Sequence, residues 1–189
     1  MILAGDIGGT KTLLGLFDNA PIRPRPVFVR SFGTLDHADL QTMVAEFLQD
    51  AVVGEAGAAH GAIESACFGV AGPVVGDTVK VTSVPWFVDA RLVASALGIA
   101  RVALLNDLEA LAHAVPVLHE SETHVLQEGA VQRGGNIGLI AAGTGLGEGM
   151  LYWDGEKHHP LASEGGHCDF AARTDQEIEL FKFLREKFQ

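Results

Sequence analysis

Residues 1–17, MILAGDIGGTKTLLGLF, place two apolar runs on either side of a polar turn that contains two glycines. The first run is Met1–Ile7 and the second is Thr12–Phe17. Because glycine adopts positive φ without a steric penalty, Gly8 and Gly9 predict a tight turn between two antiparallel strands. The chain is therefore expected to open with a β-hairpin, to which the later elements are added.

The rest of the chain alternates apolar segments of strand length with segments of helical period. Further predicted strands are 27–32, 63–70, 78–82, 102–105, 125–127, 137–142 and 150–153. Predicted helices are 36–53, a helix capped by Asp89 that runs through 97, 108–118, and a last helix that begins at a capping box of Thr174 and Glu177. Residues 21–26 and 55–62 are predicted loops. Early hairpins followed by helical crossovers predict an α/β fold, with a mixed sheet and flanking helices.

The composition limits the classes of function. With 189 residues, 48% of them hydrophobic, the chain can form one good-sized core, or one domain and part of another. A net charge of −11 with only 13 Lys and Arg argues against nucleic acid and against an anionic membrane surface. Asp6 interrupts the first apolar run too early for a signal peptide, and Cys67 and Cys168 show no metal-like spacing. These features predict a soluble cytoplasmic protein.

Two glycine turns are candidate phosphate sites. In DIGGTKT, Asp6–Thr12, the glycines let a phosphate approach the backbone, and Asp6 at the strand end could hold Mg²⁺ through water. In AAGTGLGEG, 141–149, Thr144 supplies a hydroxyl among glycines after another apolar strand. Each turn taken alone is equally explained as an ordinary hairpin. Together they could hold the two ends of a triphosphate.

Two polar pairs are candidate substrate groups. Asn106 and Asp107 follow an apolar strand, where either residue could cap the next helix or Asp107 could act as a general base. In SEGGHCDF, 163–170, Glu164 and His167 could face one polar ligand such as a sugar, whose hydroxyls both donate and accept. Metal binding and a simple polar turn are the alternatives for this segment. The set as a whole points to phosphoryl transfer onto a polyol.

Five motifs in this order resemble those of the bacterial glucokinases in the hexokinase and actin-like ATPase superfamily: DIGGTKT, GVAGPV, LLNDLEA, GTGLG and SEGGHCDF. The resemblance covers residues 1 to about 175. It implies a ribonuclease-H-like fold of two lobes, with ATP and Mg²⁺ in the cleft between them. The implied reaction transfers the γ-phosphoryl group of ATP to the 6-hydroxyl of glucose.

The resemblance also implies site residues at the matching positions. Asp6 would lie by the Mg²⁺, and Asp107 would be the base that deprotonates the glucose hydroxyl. The phosphate site would be formed by Gly8, Gly9, Thr10, Lys11, Thr144 and Gly145. The glucose site would be formed by Asn106, Asp107, Glu164 and His167. A departure occurs at TSVPW, where Ser83 stands in place of the family's asparagine.

The resemblance implies an N-terminal lobe at 1–118 and the start of a second lobe at 119–189, so the chain is expected to be truncated. An apolar helix face without later cover, Ile178, Phe181, Leu184 and Phe188, agrees with this expectation. A kinase for another hexose or amino sugar, and a non-catalytic sugar sensor, are the alternatives. ADP or polyphosphate as donor, and a monomer or a homodimer, are left open.

Overall fold

The structure is a computed structural model, and it describes residues 1–53, 62–82, 84–130, 132, 134–143, 145–161, 163 and 165–188. The strands are β1 (Ile2–Ile7), β2 (Lys11–Phe17), β3 (Pro26–Gly33), β4 (Ser65–Val70), β5 (Val74–Val75), β6 (Thr78–Lys80), β7 (Phe87–Asp89), β8 (Arg101–Asn106), β9 (Ile137–Ala142), β10 (Leu146–Trp153) and β11 (His158–Leu161). The helices are α1 (Leu40–Val53), α2 (Ala90–Leu97), α3 (Asp107–Ala114) and α4 (Asp175–Phe188). Within these ranges, no helix has the length and apolar character needed to cross a bilayer.

The largest sheet has five strands in the order β3-β2-β1-β4-β8. Strands β1, β2 and β3 pair antiparallel through short connections, whereas β4 pairs parallel with both β1 and β8. Parallel neighbours need a long crossover, which helices provide on the faces of the sheet. The predicted mixed sheet with flanking helices is confirmed. A three-stranded sheet, β5-β6-β7, and a second one, β11-β10-β9, complete the strands.

The hydrophobic core lies between α1 and one face of the large sheet. Leu40, Met43, Val44 and Phe47 of α1 are fully buried, at the spacing of one helix face. The Phe47 ring lies 5.2 Å from the Phe28 ring on β3. Each large side chain buried in this way contributes about 1.5–3 kcal/mol relative to exposure to water. This face therefore fixes how α1 lies on the sheet.

Two predicted helices have different ends in the structure. Helix α1 begins at Leu40 rather than at 36, because the Asp39 carboxylate accepts a hydrogen bond from the Thr42 N–H at 2.8 Å and caps the helix there. Helix α3 ends at Ala114 and is followed by a 3₁₀ turn, Val115–Val117, instead of continuing to 118. Pro116 lies in that turn, and because proline has no backbone N–H it cannot continue the α-helical hydrogen bonds.

Other predictions about strands need correction. The strand predicted at 125–127 is wrong, since residues 123–130 form none, and Leu126 is 91% exposed without a partner strand. Strands β5, β7 and β11 were not predicted, because each is short and depends on its pairing partner. The loop predicted at 55–62 lies outside the described residues except for its last residue.

The two faces of the sheet β11-β10-β9 are buried to different extents. Met150, Tyr152 and Leu161 lie on one face and are about half exposed, whereas Leu151 on the opposite face is fully buried. Helix α4 follows this sheet, and its capping box is confirmed: Thr174 and Glu177 exchange side-chain to backbone hydrogen bonds. All of its large apolar side chains are exposed, as the sequence predicted for its uncovered face.

Candidate active site

Three parallel strands end together at one edge of the large sheet. Ile7 of β1 pairs with Val70 of β4, which in turn pairs with Asn106 of β8. This register brings Asp6, one residue before the end of β1, to the same edge as Asn106 and Asp107. The carboxyl ends of parallel strands are where α/β proteins commonly place their ligand sites.

Asn106 is the N-cap of α3, and its side chain is held at both ends. Its Oδ1 accepts a hydrogen bond from the Leu108 N–H at 3.0 Å, and its Nδ2 donates to the Gly72 carbonyl at 3.1 Å. Gly72 has φ +145°, and an added Cβ would lie 2.8 Å from the Lys80 carbonyl oxygen. The cap predicted from the sequence is confirmed, with Asn106 as the capping residue.

Replacement of Asn106 by alanine is expected to lower the free energy of unfolding by about 1 kcal/mol, because the cap is lost. The Gly72 carbonyl also loses its donor. Urea unfolding monitored by circular dichroism measures the difference. Asn106→Ser is the matched control, because serine keeps a capping oxygen, and it should recover part of the loss. Equal stability of wild type and Asn106→Ala would contradict the role of the cap.

Two carboxylates, Asp6 and Asp107, lie close enough at this edge for the charge of Asp107 to act on Asp6. Partial burial of the carboxylate, and then the negative charge of Asp107, raise the pKa of Asp6 above its ordinary value. Asp107 is the first residue of α3, its side chain is exposed, and its Oδ1 accepts from the Leu108 N–H at 2.9 Å. The edge therefore carries concentrated negative charge, which favours a cation or a proton between the two groups.

Replacement of Asp6 by asparagine is expected to increase the free energy of unfolding at pH 7. A carboxyl whose pKa is raised by folding contributes most below its ordinary pKa of about 3.9 and loses this contribution as pH rises through the folded value. The gain over wild type should therefore shrink as pH falls towards that ordinary value. Denaturant unfolding at several pH values measures this trend.

Asp154→Asn is the contrasting control for Asp6→Asn. The backbone N–H groups of Lys157 and Glu156, together with His159, hold the pKa of Asp154 well below its usual range. Its ionised form stabilises the fold, so its removal should lower stability at neutral pH. A destabilising Asp6→Asn would show that burial and the charge of Asp107 do not make the ionised form of Asp6 unfavourable in the fold.

The first glycine turn, residues 8–10, joins β1 to β2 and is held by hydrogen bonds to Lys11 of β2 and to Thr34, just after β3. The Gly8 N–H donates to the Lys11 carbonyl at 3.1 Å, and the Gly8 carbonyl accepts from the Thr34 hydroxyl at 2.8 Å. Thr34 and Thr12 are fully buried, with their hydroxyls 3.0 Å apart. Thr34 belongs to this site through tertiary contact, and no local sequence signal indicates it.

The predicted turn is confirmed, but its physical reason differs from the prediction. Neither Gly8 nor Gly9 is among the glycines with positive φ. A Cβ at Gly8 would lie 3.0 Å from the Lys11 carbonyl oxygen, so the close approach of the backbone, rather than a positive φ, favours glycine here. Thr10 and Lys11 are exposed beside it, where their side chains can reach a ligand.

The second glycine turn, 143–145, joins β9 to β10. The Gly143 N–H donates to the Gly145 carbonyl at 2.9 Å, and Gly145 is exposed. Thr144 lies outside the described residues. Gly147, just after the turn, leaves space for Leu108 of α3, because an added Cβ would lie 2.7 Å from a Leu108 methyl group.

Helix α3 therefore connects the two sheets. On its other side, a Cβ at Gly69 of β4 would lie 2.9 Å from the Ala110 Cβ. Glycines at 69 and 147 thus allow one helix to lie close to both the large sheet and β10. Since Asp107 begins this helix, its position depends on both sheets. Sequence reasoning missed both glycines, because nothing near them in the chain marks a close approach.

A 3₁₀ turn, Gly165–His167, lies against β10. A Cβ at Gly166 would collide with the backbone carbonyl of Leu146, and one at Gly165 would lie 2.6 Å from Glu148 Oε2. His167 is exposed at the end of this turn and takes part in an interaction with the protein. Glu164 and Ser83 lie outside the described residues.

The structure thus places some of the predicted site residues at the edge of the large sheet and others beside β10. Asp6, Asn106 and Asp107 meet at the edge of the large sheet. The second glycine turn and the Gly165–His167 turn both adjoin β10, which α3 connects to that edge.

The carboxylates at the edge are typical of a magnesium site that is completed by water and substrate, rather than of a metal site made of protein ligands alone. Mg²⁺ usually keeps several waters and takes one or two carboxylates together with substrate phosphates. Asp6, with its raised pKa beside Asp107, provides such a pair. Among the described residues, no group of three His, Cys, Asp or Glu side chains could hold a metal ion. The metal alternative for the segment 163–170 gains no support from these residues.

Known proteins match almost the whole length of this chain. A sequence profile of the family described as Glucokinase matches residues 3–189. A glucokinase of Nostoc punctiforme is 39% identical over 188 residues, which cover 99% of this chain and 53% of that protein. A glucokinase of Aromatoleum aromaticum is 38% identical over 98% of this chain and 54% of its own length. The chain spans about half the length of the curated relatives that it matches.

Solved structures support the same fold. The crystal structure of a glucokinase from an Antarctic psychrotroph superimposes with a TM-score of 0.79 at 29% identity, over 99% of this chain and 57% of that one. A glucokinase from Balamuthia mandrillaris, solved with glucose, gives a TM-score of 0.67 at 18% identity over 55% of its chain, which bears on the fold alone.

Proposed function

Because this chain belongs to the glucokinase family, we propose that the complete protein transfers the γ-phosphoryl group of ATP to the 6-hydroxyl of glucose. The observation that carries the proposal is the placement of Asp107 at the strand edge beside Asp6, with Asn106 held at both ends of its amide. A carboxylate in this position can accept a proton, while a neighbouring one attracts a cation. Both tasks belong to phosphoryl transfer.

Asp107 is the proposed general base. Its Oδ1 accepts from the Leu108 N–H, which fixes the plane of the carboxylate, while Oδ2 makes no hydrogen bond with any described residue. As the sugar oxygen bonds to the γ-phosphorus and the bond to the leaving oxygen of ADP breaks, the hydroxyl proton passes to Asp107. The transition state of phosphoryl transfer is loose, so the protein contributes mainly by positioning the reactants and stabilising charge.

The proposed nucleotide site uses the two glycine turns. Gly8, Gly9, Thr10 and Lys11 would contact phosphates from one side, and Thr144 with Gly145 from the other. Gly8 is held to Lys11 and Thr34, so its turn needs little rearrangement to receive an anion. Asp6 would hold Mg²⁺ through water, and the ion would neutralise charge that develops on the phosphates.

The proposed sugar site combines Asn106 and Asp107 with Glu164 and His167. Since one lone pair of Asn106 Oδ1 and one Nδ2 hydrogen are already used, a second hydrogen remains to donate to a sugar hydroxyl. The fixed amide orientation limits which hydroxyl can reach it. Glu164 and His167 would select further hydroxyls of the same sugar.

The organisation of the protein is part of the proposal. Residues 1–118 would form the first lobe, and residues 119–189 would begin the second. A cytoplasmic location is proposed from the two distant cysteines, Cys67 and Cys168, both of which are free thiols here. A homodimer is proposed as the alternative to a monomer, and sedimentation of the complete protein distinguishes them.

A coupled assay for glucose 6-phosphate tests the proposal. The complete protein with glucose and Mg-ATP is expected to turn over, and ADP or polyphosphate in place of ATP should give a much lower rate. A panel of hexoses and amino sugars compared by kcat/KM should rank glucose first. Preference for another sugar would point to the related kinases, and glucose binding without turnover would point to a sensor.

The 189-residue chain alone is expected to show little or no kinase activity. Its relatives are about twice as long, so part of what they use is absent from the matched region. The same coupled assay on the isolated chain measures this. Robust turnover would show that these residues contain a sufficient site.

A further inference from the structure

Glu148 of β10 lies directly against the Gly165–His167 turn, which carries His167, a proposed sugar-binding residue. Its Oε2 occupies the space next to Gly165, only 2.6 Å from where a Cβ would be, and its own Cβ lies 3.4 Å from that point. Glu148 is half-buried, although it makes no hydrogen bond or ion pair with another described residue. A carboxylate that is half-buried without a partner loses hydration, so its position calls for an explanation.

The Gly165–His167 turn meets β10 at two adjacent points. Gly166 lies against the Leu146 carbonyl, and Gly165 lies against the Glu148 side chain. Leu146 and Glu148 are two residues apart on one strand, so their side chains lie on the same face of the sheet. Two contacts spaced along one strand fix the distance of the turn from the sheet and also its tilt.

The backbone hydrogen bonds of Gly165 do not fix its distance from Glu148. The Gly165 N–H donates to Ser163 Oγ at 3.0 Å, and its carbonyl accepts from the Cys168 N–H at 3.0 Å. These bonds shape the turn internally, but neither reaches β10. Of the two contacts with β10 at Gly165 and Gly166, only the one to Glu148 involves a side chain, so it is the one that substitution can remove.

We propose that Glu148 is a positioning residue for sugar binding: it supports the Gly165–His167 turn and thereby sets the position of His167. The expected change in the KM for glucose rests on the proposed function, whereas the expected change in the hydrogen exchange of the turn does not. Because the contact depends on the shape of the side chain, a glutamine at position 148 should support the turn as well as the glutamate does. An alanine, whose side chain ends at Cβ, should not support it.

Kinetics of the complete protein test the proposal through Glu148→Ala, Glu148→Gln and a matched control, Tyr152→Phe. Tyr152 lies on the same face of β10 and is half exposed. We expect Glu148→Ala to raise the KM for glucose about tenfold, since small displacements of positioning groups have effects up to about 10². The KM for ATP should stay within about twofold, and Glu148→Gln and Tyr152→Phe should both resemble wild type.

Hydrogen exchange of the complete protein without ligands separates this proposal from the proposed function. In Glu148→Ala, the amides of residues 165–168 should exchange faster than in wild type and in Tyr152→Phe, whether or not the protein phosphorylates glucose. Unchanged exchange in this segment, or equal rises in both KM values, would overturn the positioning role. If Glu148→Ala fails to fold, Glu148→Asp serves instead, because it keeps the charge and shortens the side chain by one methylene. Faster exchange in Glu148→Asp supports the role, whereas wild-type exchange overturns it.

Discussion

Replacement of Asp107 by asparagine in the complete protein is expected to lower kcat for glucose phosphorylation by about 10²–10⁴, the usual contribution of a general base. Asparagine keeps the side-chain shape and an oxygen that can accept from the Leu108 N–H, so the start of α3 should be preserved. What it lacks is the ability to take a proton from the sugar hydroxyl. The KM for glucose should therefore change much less than kcat.

The net effect of Asp107→Asn on stability should be small. A negative charge in the first turn of a helix stabilises it by about 0.3–1 kcal/mol, and this contribution is lost. The substitution also removes the charge that raises the pKa of Asp6, which acts in the opposite direction. A collapse of stability would mean that lost activity reports unfolding rather than chemistry.

Glu109→Gln is the matched control for Asp107→Asn. Glu109 is another carboxylate in the first turn of α3, two residues further along and half-buried. The Glu109→Gln substitution should leave kcat near the wild-type value. Steady-state kinetics of both variants, with thermal unfolding as the check on folding, measure the comparison. Wild-type kcat in Asp107→Asn would remove Asp107 as the base.

Replacement of Gly166 by alanine is the second substitution expected to have a large effect, with a loss of about 10² in kcat/KM for glucose. The new Cβ would collide with the Leu146 carbonyl, which belongs to a strand paired with β9 and has little freedom to move. Overpacking of this kind costs about 1–3 kcal/mol, so the turn should shift rather than accept the methyl group. His167 would move with it.

Two glycine variants control for the Gly166→Ala effect. Gly165→Ala meets the end of the Glu148 side chain, which can rotate away, so its effect should be smaller. Gly149→Ala places a Cβ in ordinary contact with Leu139, at 3.8 Å, and should behave like wild type. Measured kcat/KM for the three variants should therefore fall in the order 149, 165, 166. A Gly166→Ala variant with normal kinetics would show that the turn does not bind substrate.

Much of the fold could be predicted because the signals are local. The alternation of β1 and β2 around two glycines, and the helical spacing of Leu40, Met43 and Phe47, follow from which faces must be buried. The Asn106 cap follows from the preference of its amide for a free backbone N–H. The predicted family was confirmed by the match over residues 3–189.

Other features could not be predicted, because each depends on a partner distant in the chain. Residues 125–127 have strand composition but find no neighbouring strand, and β11 forms because β10 is beside it. Gly8 is predicted as a turn glycine with positive φ, yet it is favoured by the nearby Lys11 carbonyl instead. Composition within a short window carries no information about such contacts.

The sequence by itself determined the elements, the capped start of α3 and the residue types available for chemistry, since backbone preference and side-chain period act within a few residues. Only the tertiary structure decided that Asp107 helps to raise the pKa of Asp6, about a hundred residues away in the chain, and that Glu148 lies against the Gly165–His167 turn. Strand register and the missing Cβ atoms at Gly69, Gly147 and Gly166 set those distances. Register and close approach arise only when whole elements bury their faces together.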